Sequence, residues 1–317
     1  MQYRYIGSNQ LKVSRMCLGT LTMGPLQKQL SIDKGAELIV EAVKLGVNIL
    51  DTAELYQTYP YIKKAISMIP KEHKPLIISK SYAYTKEMMK QSIERAISEM
   101  DTDHVDVFLM HEQETELTIR GHMEAYEYLL EAKQQKIIHA VGISCHSIEA
   151  VRCATNLEGV DCIMPIYNQK GIGIIDGTLD EMTKAISGAH SKGIGIIGMK
   201  ALAGGHLLGN ARQALDFALS CDTLDTIAIG VQSYEELLFN VTCFQQAPIN
   251  PELAAKVQAQ PRKLWIEEWC EGCGKCVQRC TANALMIVND QVVVDHSKCR
   301  LCGYCGSVCP GFFIKVV

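Results

Sequence analysis

Gly46-Val47-Asn48-Ile49-Leu50-Asp51-Thr52-Ala53-Glu54-Leu55-Tyr56 is the stretch whose reading decides the fold. Its first five residues are mostly apolar and partly β-branched, the composition of a buried strand. Asp51 closes that strand, and Tyr56 follows one short loop later. Two further runs end in the same way. Leu76-Ile77-Ile78-Ser79-Lys80 brings an ammonium to a strand end, and Val105-Asp106-Val107-Phe108-Leu109-Met110-His111 brings an imidazole. In a parallel barrel the C-terminal strand ends converge on one face, where catalytic groups sit. Asp51, Tyr56, Lys80 and His111 are therefore expected in one pocket.

Together the four have a chemical logic that none has alone. A phenol with a pKa near ~10 exchanges protons poorly at neutral pH. A neighbouring ammonium lowers that pKa, so Lys80 is expected to activate Tyr56. Asp51 holds Lys80 charged and aimed, and His111 donates to a carbonyl oxygen. Tyr56 then gives a proton when a carbonyl is reduced and takes one when an alcohol is oxidised. Singly, each residue reads as structural: a strand-end Asp, a surface Lys, a buried Tyr, a satisfied His. In this order and at strand ends they read as a catalytic set.

Outward from this stretch, strands and helices alternate. Strands are expected near 16–19, 47–51, 76–80, 105–110, 138–143, 161–166, 194–199 and 226–230. Helices are expected after Asp33 and near 61–68, 86–100, 119–135, 148–157, 179–191, 210–219 and 234–244. Thr178-x-x-Glu181 and Ser233-x-x-Glu236 have the spacing of capping boxes. Eight βα units in sequence favour a closed (β/α)8 barrel over an open sheet. Residues 2–14 read as a hairpin closing one end of it. The barrel is expected over 1–248. Pro248, Pro251 and Pro261 mark 249–268 as a linker with a short helix near 251–259.

The composition excludes several classes. Of the 317 residues 48% are hydrophobic and 21% charged, with a net charge of −4 and no basic block, so nucleic acid is not an expected partner. The opening lacks the apolar core of a signal peptide, and no uncharged apolar run is long enough to span a membrane. A cytoplasmic location without membrane attachment is expected.

The stretch LDTAELY, followed by IISK and FLMH, resembles the aldo-keto reductase family over about residues 1–245. The resemblance implies a (β/α)8 barrel, hydride transfer with NADP or NAD, a small carbonyl or alcohol substrate, and the roles given above for the four residues. It places Gly19 and Thr20 beside the nicotinamide, Ser144 on its carboxamide, and Asn168, Met199 and Lys200 along the cofactor. Gly230, Gln232, Ser233 and Asn240 fall where the pyrophosphate and adenine would lie. Ser233 reads equally well as a plain helix cap. Several positions depart from the family pattern. Cys145 stands for an asparagine, Met164 for a glutamine, and Met199-Lys200 for the aromatic that stacks on the nicotinamide. No arginine lies in 230–240 to grip a 2′-phosphate. NADP and NAD both stay open, and a flavin is the other candidate. Glycines in 167–173 and 201–206 would allow close backbone approach to a ligand.

Eight of the 14 cysteines lie in the last fifth of the chain, which in a cytosolic protein argues for metal rather than disulfides. Cys270-x2-Cys273-x2-Cys276-x3-Cys280 is followed by Cys299-x2-Cys302-x2-Cys305-x3-Cys309-Pro310. This is the known run of two-cluster bacterial ferredoxins, in which the fourth cysteine of each run serves the other cluster. It assigns Cys270, Cys273, Cys276 and Cys309 to one [4Fe-4S] cluster. Cys299, Cys302, Cys305 and Cys280 fall to the second. Paired zinc sites are the competing reading of the cysteines, and a purely structural role competes for the clusters. Residues 284–288 and 292–295 read as a hairpin. A small α+β ferredoxin-like domain is thus expected over 269–317.

The expected whole is an oxidoreductase with a fused two-cluster electron-transfer module. The alternative is an electron-transfer protein whose barrel binds another redox cofactor or partner. Hydride and one-electron carriers do not exchange directly, so an outside ferredoxin or flavoprotein is expected for the clusters. Lys275, Arg279, Lys298, Arg300 and Lys315 outnumber Glu271, Asp290 and Asp295 in the module and would help dock an acidic partner.

Overall fold

The computed structural model describes every residue except Gln10, Pro261, Arg300 and Cys302, so what the sequence suggests for those four lies outside the described residues. Tyr3–Tyr5 (β1) and Lys12–Ser14 (β2) pair antiparallel as the N-terminal hairpin. Eight parallel strands follow: Met16–Gly19 (β3), Ile49–Asp51 (β4), Leu76–Ser81 (β5), Val105–Gln113 (β6), Ile138–Cys145 (β7), Cys162–Pro165 (β8), Gly195–Met199 (β9) and Thr226–Gly230 (β10). They form a closed barrel, β10 pairing with both β3 and β9. The (β/α)8 reading holds. Every residue of β3, β4, β8 and β9 is buried, because helices cover the outside and side chains fill the inside. Burying each large aliphatic side chain contributes about 1.5–3 kcal/mol.

The helices begin where short polar side chains stand. Ser31, Thr85, Ser147, Thr178 and Ser233 each accept a hydrogen bond from the backbone N–H three residues on. Thr178 and Glu181 form the full reciprocal box. Ser233 and Glu236 form only half of one. The Glu236 carboxylate accepts from Gln232 N at 2.8 Å and pairs with Arg262. The segment 119–135 divides into Glu116–Gly121 and Met123–Gln134.

The C-terminal module departs from expectation at its start. Leu264–Ile266 (β11) lies in the stretch read as linker, yet it pairs antiparallel with Ile314–Val316 (β14). Its Leu-Trp-Ile run is strand-favouring, and the nearby prolines bracket only the helix Pro251–Gln258. Leu285–Val288 (β12) and Gln291–Val294 (β13) form the expected hairpin. Asn289 and Asp290 both take positive φ, +49° and +59°, as a type I′ turn requires.

The module seats on the C-terminal face of the barrel. Phe312 is 2% exposed and belongs to the barrel's own apolar core. A Cβ on Gly205 (φ +91°) would meet the Val316 carbonyl oxygen at 2.0 Å, and Cβ atoms on Gly173 and Gly204 would press on the Phe312 ring. His206 Nε2 lies 3.1 Å from Ile314 O. Of the loop glycines read as room for a ligand, Gly173, Gly204 and Gly205 admit the module, and Gly204 and Gly205 also line a cavity at the barrel face. No helix among the described residues is long and apolar enough to cross a membrane.

Candidate active site

The strand register carries three of the four expected side chains to one face. Asp51 closes β4 beside Gly19, Lys80 lies in β5 opposite Leu109, and His111 lies two residues further along β6. Tyr56 stands on the short 3₁₀ turn Glu54–Tyr56 above them. That turn is pinned from both sides. The Glu54 carboxylate accepts from Ser81 Oγ at 2.7 Å, Ser92 Oγ at 2.9 Å and Arg95 at 2.6 Å. The buried hydroxyls of Thr20, Thr52 and Thr58 join one another at 2.7 and 2.8 Å, and Thr20 also donates to Asp51 O.

Within the set, Lys80 Nζ donates to Asp51 Oδ1 at 2.5 Å and to Thr52 O at 2.7 Å. The same ammonium lies 4.9 Å from the centre of the Tyr56 ring. Tyr56 meets His111 edge-on, with ring centroids 5.6 Å apart at 76°. Tyr82 stacks on the other side of His111 at 4.3 Å. His111 Nδ1 is buried and has no hydrogen-bond partner.

The electrostatics correct one expectation. Burial pushes the Tyr56 phenol well above its ordinary pKa, and the charges of Asp51, Glu112 and Tyr82 push the same way. Together these outweigh the Lys80 ammonium, which Asp51 holds at 2.5 Å. Tyr56 is therefore held protonated. Burial, then Lys80, pushes His111 down to about 3, so the imidazole is neutral. Burial also pushes the Asp51 carboxyl up, and Lys80 opposes it.

Two cavities open from this set. One, of about 940 Å³, runs from Asp51, Tyr56, Met164 and Met199 past Gly19 and Lys200 to Gly230, Gln232, Glu236 and Arg262. The other, of about 970 Å³, places Tyr56 and His111 among Tyr82, Glu112, His146 and Lys200. Phe312 and Lys315 of the C-terminal module border both. The sequence reading missed Tyr82, Glu112, His146, Phe312 and Arg262. Glu112 directly follows His111 and Tyr82 stands two residues past Lys80, both placed at strand ends, which was a usable signal. Phe312 and Arg262 carried none, since the docking of the module brings them in.

The remaining cofactor candidates differ in what they can reach. Gly19, Met199, Lys200, Gly230 and Gln232 line the first cavity. Thr20, Ser144, Asn168, Ser233 and Asn240 do not. Ser144 Oγ accepts from Glu112 N at 2.9 Å. Asn168 is fully buried and uses its amide on Ile172 and Lys170 of its own loop. Ser233 caps its helix and also accepts from Gln260 Nε2 at 2.6 Å. In place of the missing arginine of 230–240, Arg262 arrives from the far end of the linker.

Charges in the cavities are mostly matched. Lys80 pairs with Asp51, Arg262 with Glu236 and Lys315 with Glu267. Lys200 has no carboxylate within ion-pair distance. Its Nζ lies 4.3 Å over the Phe312 ring, and burial followed by Lys315 pushes it down to about 7. Burial also acts to raise Glu112, but nearby positive charge and the Tyr82 hydroxyl hold it below the usual carboxylate range. That charge comes chiefly from His146, then from Lys200.

In the C-terminal module the cysteines fall into two groups. Burial pushes the Cys276 thiol up to about 11, and Cys309, Cys270 and Cys273 add to the shift as near neighbours. Cys280, Cys299 and Cys305 line a separate small cavity. Backbone N–H groups already point at sulfur: Phe313 N to Cys309 at 3.2 Å and Ala284 N to Cys280 at 3.3 Å. Clustered, N–H-facing thiols are what an iron-sulfur site requires. Cys302 lies outside the described residues. Of the basic residues read as a docking patch, Lys315 is bound to Glu267 and Lys298 to Asp295, which leaves less free charge than the composition implies.

Comparison with known proteins agrees with both parts. A family model described as "Aldo/keto reductase family" matches residues 15–218, and one described as "4Fe-4S dicluster domain" matches residues 263–310. The uncharacterized oxidoreductase YqkF of Bacillus subtilis is 26% identical over 159 residues, 45% of this chain and 49% of that protein. The NADPH-dependent alpha-keto amide reductase of Saccharomyces cerevisiae is 29% identical over 119 residues, 36% of this chain and 38% of that protein. The match thus spans half or less of these two relatives' own length. A Pseudomonas aeruginosa structure described as an aldo-keto reductase superposes with a TM-score of 0.66 at 25% identity, over 77% of this chain and 94% of that one.

Proposed function

The chain belongs to the aldo/keto reductase family and is an oxidoreductase with a C-terminal 4Fe-4S dicluster domain; from that premise we propose that it reduces a small carbonyl compound with NAD(P)H, Tyr56 supplying the proton. The observation that carries this reading is the convergence of a protonated Tyr56 and a neutral His111 on one cavity, with Lys80 and Asp51 paired behind them. The name of the yeast relative supports NADPH in particular.

The first cavity fits a dinucleotide. It starts at Tyr56, runs along the strand ends, and finishes at the start of the helix Tyr234–Phe244. Gly19 and Gly230 let the backbone approach, and Met164, Met199 and Gln232 face the track. When bound, the nicotinamide supplies the hydride. His111 polarises the carbonyl oxygen as a neutral donor. Tyr56 delivers the proton to that oxygen, and the phenolate left behind is stabilised by Lys80, which Asp51 orients. Phe312 and the apolar wall exclude water.

This arrangement predicts a direction. Because Tyr56 is held protonated, kcat for reduction should stay level through the ordinary phenol range. Alcohol oxidation, which needs the phenolate, should be slow at neutral pH and climb with pH. Paired pH profiles of the two directions provide the test. An oxidation rate that is level and high from pH 6 upward would contradict the protonated resting state.

Lys200 is proposed to hold an anionic group of cofactor or substrate, since its charge alone among the described cations of the two cavities lacks an acid. Charged hydrogen bonds of this kind are worth about 1.5–3 kcal/mol, or roughly ten- to a hundredfold in affinity. Lys200→Met should weaken NADPH binding by that factor at pH 6. In the parent protein the affinity should fall between pH 6 and 8.5 as Lys200 loses its proton amid Lys80, Glu112, Glu267 and Lys315. The variant's affinity should stay level over the same range. Calorimetric titrations at both pH values read this out, and a variant that titrates like the parent would remove Lys200 from the site.

We further propose that Cys270, Cys273, Cys276 and Cys309 hold one [4Fe-4S] cluster and Cys280, Cys299, Cys302 and Cys305 a second. The clusters supply one-electron transfer, and an outside one-electron protein is the proposed partner.

A further inference from the structure

The floor of the barrel, opposite the catalytic face, carries a second group of titratable side chains. His104 precedes β6, Asp106 is the second residue of that strand, and His139 is the second residue of β7. The register pairs Val105 with Ile138 and Val107 with Ala140, which sets Asp106 beside His139. The two-residue repeat of a strand puts His104 and Asp106 on the same side. Three side chains from β7, β6 and the residue before β6 are thus brought together by the fold itself.

Their geometry is that of a ligand set. His104 Nε2 lies 3.5 Å and His139 Nδ1 3.4 Å from the same oxygen, Asp106 Oδ1. All three ligand atoms lie within 4.8 Å of one another. Those nitrogen–oxygen distances exceed the ~2.9 Å of an ordinary hydrogen bond. These two distances are close to the edge of a tetrahedron whose metal–ligand bonds are 2.0–2.1 Å, which is about 3.3–3.4 Å, and the third edge is at most 4.8 Å. Asp106 Oδ2 is already taken, accepting from Ile77 N at 2.8 Å, so the carboxylate is oriented and Oδ1 is left for a ligand. Both imidazoles are 39% exposed, which leaves an outward position for water.

We infer that His104, Asp106 and His139 form a binding site for one divalent transition ion of the zinc class. Two imidazoles and one carboxylate suit zinc and its neighbours, whereas magnesium and calcium prefer all-oxygen sites. The ion would tie β6 to β7 at the floor of the barrel. Asp106 stands five residues before His111 on one strand, roughly 17 Å away, so the ion is a strand clamp and takes no part in the chemistry.

The test uses the full chain with its clusters loaded, iron and sulfide contents being matched between samples. Zinc is titrated calorimetrically into the parent and into the His104→Ala/His139→Ala variant. Exposed cysteines that take zinc do so equally in both and cancel in the comparison. Disturbing even an outer-shell partner costs about 10–100-fold in metal affinity, so losing two ligands should weaken this site by at least about a hundredfold. The parent should take up one more zinc than the variant, and zinc should raise the thermal midpoint of the parent alone. The half-exposed histidines make the variant's folding safe to expect, and its unchanged cluster content checks that. Identical zinc titrations and identical midpoints in the two proteins would overturn the site.

Discussion

Tyr56→Phe should all but abolish carbonyl reduction while leaving NAD(P)H binding within about twofold of the parent. The substitution keeps the ring, and with it the edge contact to His111 and the place beside Lys80. It removes one oxygen and the proposed transferable proton. General acid catalysis by a placed side chain is worth about 10²–10⁴-fold, and the full loss should fall on kcat. His111 does not substitute, since its pKa of about 3 makes it a neutral donor that polarises without releasing a proton. Steady-state kinetics with a calorimetric Kd for the cofactor separates the two effects. Turnover retained within tenfold would remove Tyr56 from the role of proton donor.

The second large effect is expected at Cys309. Cys309→Ser should remove the cluster of Cys270, Cys273 and Cys276 and spare the other, although Cys309 lies in the second cysteine run. The basis is spatial: Cys309, Cys270 and Cys273 are the cysteines that act on Cys276, whereas Cys280 faces Cys299 and Cys305 across the other cavity. Iron content should fall by about half, and one of two EPR signals of the reduced protein should vanish. Loss of the cluster nearest Cys309 should also loosen Phe312, three residues on, which walls the barrel cavity. Carbonyl kinetics should therefore change as well, chiefly in KM. Loss of the signal belonging to Cys299 and Cys305 instead would require the two ligand sets to be redrawn.

The meeting of Asp51, Tyr56, Lys80 and His111 was legible in the sequence because each ends or follows a β-favouring run, and a closed parallel sheet leaves such ends one place to go. The barrel was legible for the same reason of period and spacing. The cysteine runs were legible because ligand spacing is local. What the sequence hid is what the docking of the two parts creates. Phe312 reads as one aromatic near a chain end, yet it completes the barrel's core and covers the cavity. Gly204 and Gly205 read as ligand room, and besides lining a cavity they admit β14. Arg262 lies in a presumed linker, yet it reaches the helix start that lacked an arginine. The sign of the Tyr56 shift was also hidden. Composition shows that a lysine is near, and only the fold shows that burial and the charges of Asp51 and Glu112 outweigh it.

The docking of the module bears on the reduction itself, because a site walled by an iron-sulfur module has two electron sources at hand. Following a deuterium label from the 4-position of the reduced nicotinamide into the alcohol product, anaerobically and with clusters loaded, separates them. A hydride mechanism carries the label to the former carbonyl carbon, one deuterium for each cofactor oxidised, with the solvent proton appearing only on oxygen. That is the result expected here. Product whose new carbon-bound hydrogen comes from solvent, formed while the clusters bleach, would contradict it and assign the reduction to the clusters.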